Sequence, residues 1–322
     1  MNKPVVYFIV GPTASGKSDA AVYSAKKLDG EIISADSIQI YRGLNIGTAK
    51  PAPEEMCGVP HHLIDIVDFQ DESYNAARFA SDAASLINEI TGRGKAPIVA
   101  GGTGLYVSSL LYPLDFTTVK PDKELRERLI EEEAEHPGVL YERLSSADPV
   151  SAARISRGDL KRIVRALEIF EITGKTMTEH GGDFLNSREK EIPFHPVIAG
   201  ISMDRSELYD RINKRADRMI ERGLCDEVKK LYEAAGGKRV LSLQGIGYRQ
   251  LISWIEGEAT LEEAVELIKR DTRRYAKRQI AWFKRDNRIR WFDRCDYPDP
   301  VRLNESIADY FIEKRDRYGR NQ

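Results

Sequence analysis

Cysteine is scarce in this chain of 322 residues: Cys57, Cys225 and Cys295 stand alone, and no C-x-x-C pair occurs. That spacing excludes a disulfide framework and a zinc module built on paired cysteines, and it fits a reducing compartment. Long apolar runs are also missing, since none approaches the roughly 20 residues that a membrane span needs. The opening stretch Met1 to Val10 is too short for a secretion signal and reads as a first strand. A cytoplasmic protein with no membrane partner is therefore expected. The net charge of −2 gives no global pull toward nucleic acid, so any such surface must be local. Internal repeats are absent. What is present, 41% apolar and 31% charged residues, is the composition of a globular enzyme of one large or two ordinary domains.

Five short β-rich apolar runs stand out, at residues 5–10, 31–35, 97–100, 197–201 and 289–292. Helical or mixed segments separate the first three, which is the rhythm of parallel β-α-β units. The expected fold class is α/β, with a mainly parallel five-stranded sheet flanked by helices. Residues 120–196 differ: they open acidic, contain a helical segment at 158–173 and show no strand. They read as an inserted all-helical domain between a first core part, 1–119, and a second, 197–322. Helices are expected at residues 18–28, 204–222, 225–233, 247–257, 261–286 and 300–317.

The first strand runs straight into Gly11-Pro12-Thr13-Ala14-Ser15-Gly16-Lys17-Ser18, which fits G-x-x-x-x-G-K-[ST] at every fixed position. Its glycines let backbone N–H groups turn toward an anion, Lys17 adds a point charge, and Ser18 offers a hydroxyl to Mg2+. The second strand ends at Asp36, where open α/β sheets bind ligands. Asp36 is either a turn aspartate or a general base or magnesium partner. The third strand carries no acid at its end, so the Walker-B aspartate of an ATPase is missing. It ends instead in Gly101-Gly102-Thr103-Gly104, either a tight turn or a second phosphate contact through Thr103. A motor ATPase is disfavoured, whereas a small transferase or kinase fits.

Arg211, Arg215, Arg218 and Arg222 recur at helical spacing, opposite Leu208, Ile212 and Met219. They form a solvated face or send one or two members to the phosphate site. Residues 269–290 hold ten basic side chains against two acids, a local +8. Such segregation is the footprint of a polyanion-binding surface. Lys161, Arg162 and Arg165 form a smaller basic set. His61-His62 reads as a structural or polar-contact pair, because adjacent side chains diverge on a strand.

Together these segments closely resemble the bacterial tRNA dimethylallyltransferases. The resemblance rests on the phosphate loop, Asp36-Ser37-Ile38-Gln39-Ile40-Tyr41, Asn45-Ile46-Gly47-Thr48-Ala49-Lys50-Pro51 and Gly101-Gly102-Thr103-Gly104-Leu105-Tyr106. Further matches are Arg165 to Phe170 with Gly174-Lys175-Thr176, then Gly245 to Arg249, and Lys277 to Trp282. It spans nearly the whole chain in order. It implies transfer of a dimethylallyl group from dimethylallyl diphosphate to N6 of adenosine 37 of tRNA. Gly11, Thr13, Ala14, Ser15, Gly16, Lys17 and Ser18 would then hold the diphosphate, with magnesium at Ser18. Thr103 and Arg215 would complete that cage with Lys17, and Asp36 would take the N6 proton. The resemblance also implies tRNA contacts at Asp36, Ser37, Ile38, Gln39, Thr103, Arg126, Lys161, Arg162 and Arg165. It extends them to Gln244, Gly245, Gly247, Tyr248, Arg249, Lys277, Arg278, Gln279, Trp282 and Lys284. A monomer is expected. A P-loop kinase for a small metabolite or nucleoside would explain the loop and Asp36 but not the basic helix. A non-catalytic RNA-binding or switch protein would explain the helix but leave Asp36 and Thr103 without a purpose.

Overall fold

The structure is a computed structural model that describes residues 3–112, 119, 122–180 and 191–320. Its contacts divide the chain into two units, Met1–Leu111 with Pro193–Gln322, and Tyr112–Ile192.

In the first unit the chain runs β1 (Val5–Val10), α1 (Lys17–Leu28), β2 (Gly30–Ser34), α2 (Pro53–Met56), β3 (His61–His62), α3 (Ala76–Gly92), β4 (Ala96–Gly101) and α4 (Gly104–Leu111). The second unit supplies α5 (Lys123–Glu135), α6 (Val139–Ala147), α7 (Pro149–Arg154) and α8 (Leu160–Thr173). The chain then returns as β5 (His195–Ser202), α9 (Arg205–Glu221), α10 (Leu224–Ala234), α11 (Tyr248–Ile255), α12 (Leu261–Phe283), β6 (Arg290–Asp293) and α13 (Pro300–Arg320).

The strands pair in the order β3-β2-β4-β1-β5-β6, and every pairing is parallel. Helices cover both faces, so β1 reads as an unbroken apolar run rather than an alternating one. Tyr7 and Ile9 pack with α1 and α13, where Tyr7 meets the Phe311 ring at 5.0 Å. Phe8 turns to the opposite face and stacks on Phe194. The sheet has six strands rather than the five expected. The extra one, β3, is two residues long and pairs Ile32 with His61 and Ile33 with His62. Periodicity cannot flag so short a strand. His62 Nε2 meets Glu31 Oε2 at 2.7 Å, and His61 Nδ1 meets the Val59 carbonyl at 2.8 Å, so both histidines make local polar contacts.

The helical unit has its own core of Leu125, Leu129, Leu140, Leu144, Ile163, Val164 and Leu167. Aspartates start three of its four described helices: Asp122, Asp148 and Asp159 accept from Leu125 N, Ser151 N and Arg162 N. Inside lies Glu168, fully buried, accepting from Arg126 through two nitrogens, from Arg165 Nη1 and from the Asp122 amide. Burial alone would raise its pKa; the hydrogen bonds from Arg126 and Arg165 outweigh that and hold it below the ordinary value. A carboxylate with a depressed pKa contributes stability that is lost as pH falls through its folded-state value. Glu168→Ala leaves two guanidinium groups facing an empty acceptor site. It should destabilise the helical unit by about 3–5 kcal/mol, read as faster amide exchange over α5 and α8 in hydrogen-exchange measurements.

Candidate active site

The carboxyl ends of β1, β2 and β4 lie side by side, and the loops that follow them meet there. After β1 the chain bends sharply: Gly11, Ala14 and Gly16 all have positive φ. A Cβ on Gly11 would lie 2.7 Å from the Ile201 carbonyl oxygen, so only glycine fits. Gly16 caps α1 without any side-chain hydrogen bond, which leaves the first-turn amides free for an anion. Ser15 Oγ is buried in the loop with no hydrogen-bond partner among the described residues. Lys17 is partly exposed along its length, but its ammonium folds back onto the Pro12 carbonyl.

Asp36 follows β2. Its Oδ1 accepts from Ile38 N at 2.9 Å and Gln39 N at 3.3 Å, so the turn-aspartate reading is correct as far as it goes. The second oxygen, Oδ2, receives no hydrogen bond among the described residues. One carboxylate oxygen thus shapes the turn while the other makes no such bond. Thr103 Oγ1 accepts from Ser37 N at 3.2 Å, and its hydroxyl also bonds to Tyr275. Thr103 therefore braces the Asp36 turn.

The glycines after β4 have a reason that the sequence does not disclose. A Cβ on Gly101 would lie 2.2 Å from the Ala35 carbonyl oxygen, one on Gly102 2.2 Å from Gln279 Nε2, and one on Gly104 2.5 Å from the Trp282 ring. They are spaces into which α12 and its neighbours pack. Gln279, almost wholly buried, accepts from Thr13 N at 2.8 Å and donates to the Gly102 carbonyl at 2.9 Å. Trp282 Nε1 donates to Ser108 Oγ at 3.0 Å.

Two adjoining recesses open here. The first, about 580 Å³, is lined by residues 13–19, Asp36, Gln39, Thr48, Gly101, Gly102, Tyr275, Gln279 and the cations Arg211, Lys214, Arg215 and Arg218. Three of the four arginines in the stripe on α9 thus line the same recess as the glycine-rich loop; Arg222 instead ends the helix. Arg211 Nε donates to the Ala14 carbonyl at 2.9 Å. The second recess, about 290 Å³, brings Ile38, Ile212, Ala216, Met219, Ile246 and Ile268 together with residues 244–249 and Arg278. Thr13, Asp36, Thr48, Arg215 and Tyr275 line both, so Asp36 sits where an anion site meets a more apolar one.

Burial lowers the pKa of two of these cations, Lys17 and Arg215. Burial pulls the Lys17 pKa down to about 7; Arg215 adds to the fall and Asp36 opposes it. Arg215 is also lowered, by burial first, with Asp36 resisting and Arg218 contributing. Burial, assisted by Asp36, pushes Tyr275 up to about 12, so it stays a neutral phenol.

The remaining sequence-derived residues fall into three groups. Gln244, Arg249, Lys277, Arg278 and Lys284 are exposed on the first unit, Arg249 in an ion pair with Asp271. Lys161 and Arg162 are exposed on α8, while Arg126 and Arg165 are committed to Glu168. Gly247 and Tyr248 are buried along the second recess, Gln279 is buried along the first, and Trp282 is half-buried. Sequence reasoning misses Glu227, which binds the 45–47 turn and Tyr248 and belongs to no motif that could flag it.

The site thus combines a parallel α/β sheet, a lysine-bearing glycine-rich loop and a carboxylate after β2, with no acid after β4. Residues 39–286 match the family model for IPP transferase, and the chain belongs to that family. It is 48% identical to a tRNA dimethylallyltransferase of Alkaliphilus metalliredigens over 91% of this chain and 93% of that one. It is 49% identical to the corresponding protein of Carboxydothermus hydrogenoformans over 88% and 90%. Among solved structures, the tRNA isopentenylpyrophosphate transferase of Bacillus halodurans covers 99% of both chains at 41% identity with a TM-score of 0.74. A eukaryotic dimethylallyltransferase, captured acting on tRNA, covers 97% of this chain and 80% of its own at 29% identity, with a TM-score of 0.79.

The depressed Lys17 pKa has a measurable sign. Below about 7 the folded, ligand-free protein carries a buried charge that the unfolded chain keeps in water; between about 7 and 10.5 that penalty fades as the folded-state lysine discharges. Lys17→Met should therefore raise the melting temperature of the ligand-free protein, most at about pH 6 and progressively less as pH rises through that window. Thermal melts across pH check this, and a pH-independent difference contradicts it.

Proposed function

We propose that this protein transfers the dimethylallyl group of dimethylallyl diphosphate to N6 of adenosine 37 in tRNA, releasing diphosphate and leaving N6-dimethylallyladenosine. The observation that carries this reading is the position of Asp36, on the shared wall of a cationic recess and a more apolar one. The diphosphate takes the first recess, the purine enters through the second, and the allylic carbon lies between them.

Three events are then coupled. The N6 lone pair forms a bond to C1 of the allyl group, the C1–O bond breaks toward diphosphate, and the N6 proton passes to Asp36 Oδ2. Loop amides, Lys17 and Arg215 meet the charge that grows on the leaving group, already oriented before reaction begins. The anion also restores the proton that burial takes from Lys17. The N6 lone pair of adenine is delocalised into the ring, so a base that accepts the proton as the C–N bond forms is worth typically 10²–10⁴-fold.

Magnesium fits the first recess as a partner of the substrate. Among the described residues no cluster of three histidine, cysteine or acidic side chains offers a full ligand set. Mg2+ commonly takes one or two protein oxygens and completes its shell from phosphate and water, and the Ser18 hydroxyl beside the loop suits that use. When bound, the ion would neutralise charge on the diphosphate. The exposed cations Lys277, Arg278 and Lys284, with Lys161 and Arg162 of the helical unit, would hold the tRNA backbone. A monomer working in the cytoplasm, where tRNA is found, agrees with this chemistry; no described helix is long and apolar enough to cross a membrane.

Incubation with tRNA and labelled dimethylallyl diphosphate should place label in tRNA, while labelled ATP with nucleosides should leave none in a phosphorylated product. Label transferred from the γ-phosphate of ATP would overturn the reading in favour of a kinase. Asp36→Asn keeps an acceptor for the turn but no base; turnover should fall at least about a hundredfold with tRNA affinity within about twofold. Replacing Lys277 and Lys284 by alanine should weaken tRNA binding and reduce the salt slope by roughly 1.5–2, measured by titration at several salt concentrations.

A further inference from the structure

Glu227 lies on α10, outside both recesses, yet four donors converge on its carboxylate. Oε2 accepts from Asn45 N at 3.0 Å and Ile46 N at 2.8 Å. Oε1 accepts from Gly47 N at 3.1 Å and from the Tyr248 hydroxyl at 2.7 Å. Three consecutive amides captured by one anion make a rigid turn, and charge-assisted bonds of this kind are the strong ones. The turn is also closed from the other side: a Cβ on Gly47 would lie 2.6 Å from Tyr248 ring atoms, so the backbone rests against that ring.

The next residue is Thr48, which lines both recesses. Its hydroxyl donates to the Leu44 carbonyl at 2.7 Å, closing the turn on itself. Its own carbonyl accepts from Gln39 Nε2 at 3.2 Å and from Arg215 Nη2 at 3.4 Å. A continuous set of bonds therefore runs from Glu227 through the turn to the Arg215 guanidinium. Arg215 has no carboxylate within ion-pair distance among the described residues, so this carbonyl is a hydrogen-bonding contact that can orient it.

We propose that Glu227 is a positioning residue for the transferase reaction: it sets the 45–48 turn so that the Thr48 carbonyl aims Arg215 at the departing diphosphate. The inference rests on the reading of the first recess as the diphosphate seat. A plain structural clip between α10 and the turn would hold the fold together without affecting how the anion is bound. Glutamine at this position is a poor substitute, because one amide oxygen cannot accept what two carboxylate oxygens accept, and its NH2 group faces donors.

The test measures inorganic diphosphate binding by calorimetry, prenyl transfer to tRNA, tRNA affinity and melting temperature. Glu227→Gln should weaken diphosphate binding at least about fivefold and slow transfer by roughly 10–100-fold, with tRNA affinity within about twofold. Arg215→Lys combined with Glu227→Gln should be scarcely worse than Arg215→Lys alone, because both act through one guanidinium. Tyr248→Phe keeps the ring and removes one of the four donors; a smaller loss of about two- to fivefold in diphosphate binding is expected, with the melting temperature nearly unchanged. This variant decides the matter should Glu227→Gln fold poorly. Multiplicative effects in the double variant, or wild-type diphosphate binding in Tyr248→Phe and Glu227→Gln, would overturn the proposal. Were the wild type to bind diphosphate but transfer no prenyl group, while Glu227→Gln still weakened that binding, the positioning role would stand and the transferase reading would fall.

Discussion

A single buried amide ties the catalytic end of the sheet together. Gln279 accepts from the phosphate loop at Thr13 and donates to the glycine turn at Gly102. Both groups belong to loops with little regular structure of their own, and an unpaired buried amide costs about 1–3 kcal/mol. The side chain therefore fixes the spacing of the two loops, and it brings Tyr275 on the preceding turn of α12 into both recesses. Every other functional contact is measured from this frame: the cations of α9 from one side, the Asp36 turn braced by Thr103 from the other.

Around that frame the dominant electrostatic theme is an excess of positive charge awaiting an anion. Five cations line the first recess, with Asp19, Asp36 and Glu55 as the acids among its walls. Burial of Lys17 and Arg215 without full compensation lowers both of their pKa values. Burying two cations in this way costs stability, and a bound anion would offset that cost.

The parts of this arrangement that are legible in the sequence are those encoded by local spacing. The phosphate loop has fixed positions, β1 is a continuous apolar run, and the arginines of α9 repeat at helical intervals, so each announces itself within one element. Asp36 is legible by its place after β2, but that one oxygen shapes the turn while the other stays free emerges only from atomic contacts. The parts that stay hidden depend on distant chain segments meeting. Nothing near Gly101–Gly104 says that α12 will press against it, so the glycines look like a phosphate turn. Nothing local says that Gln279 will bond the Gly102 carbonyl or Trp282 the Ser108 hydroxyl. Glu227 is one acid among many until three amides are found around it, and β3 is too short to carry a pattern.

The bond between Thr13 and Gln279 spans 266 positions of the chain. The anion loop is translated long before the side chain that aligns it. A nascent or prematurely terminated polypeptide thus has the sequence signature of a phosphate site without the assembled one. The alignment of the two loops through Gln279 is complete only once α12 has left the ribosome and docked.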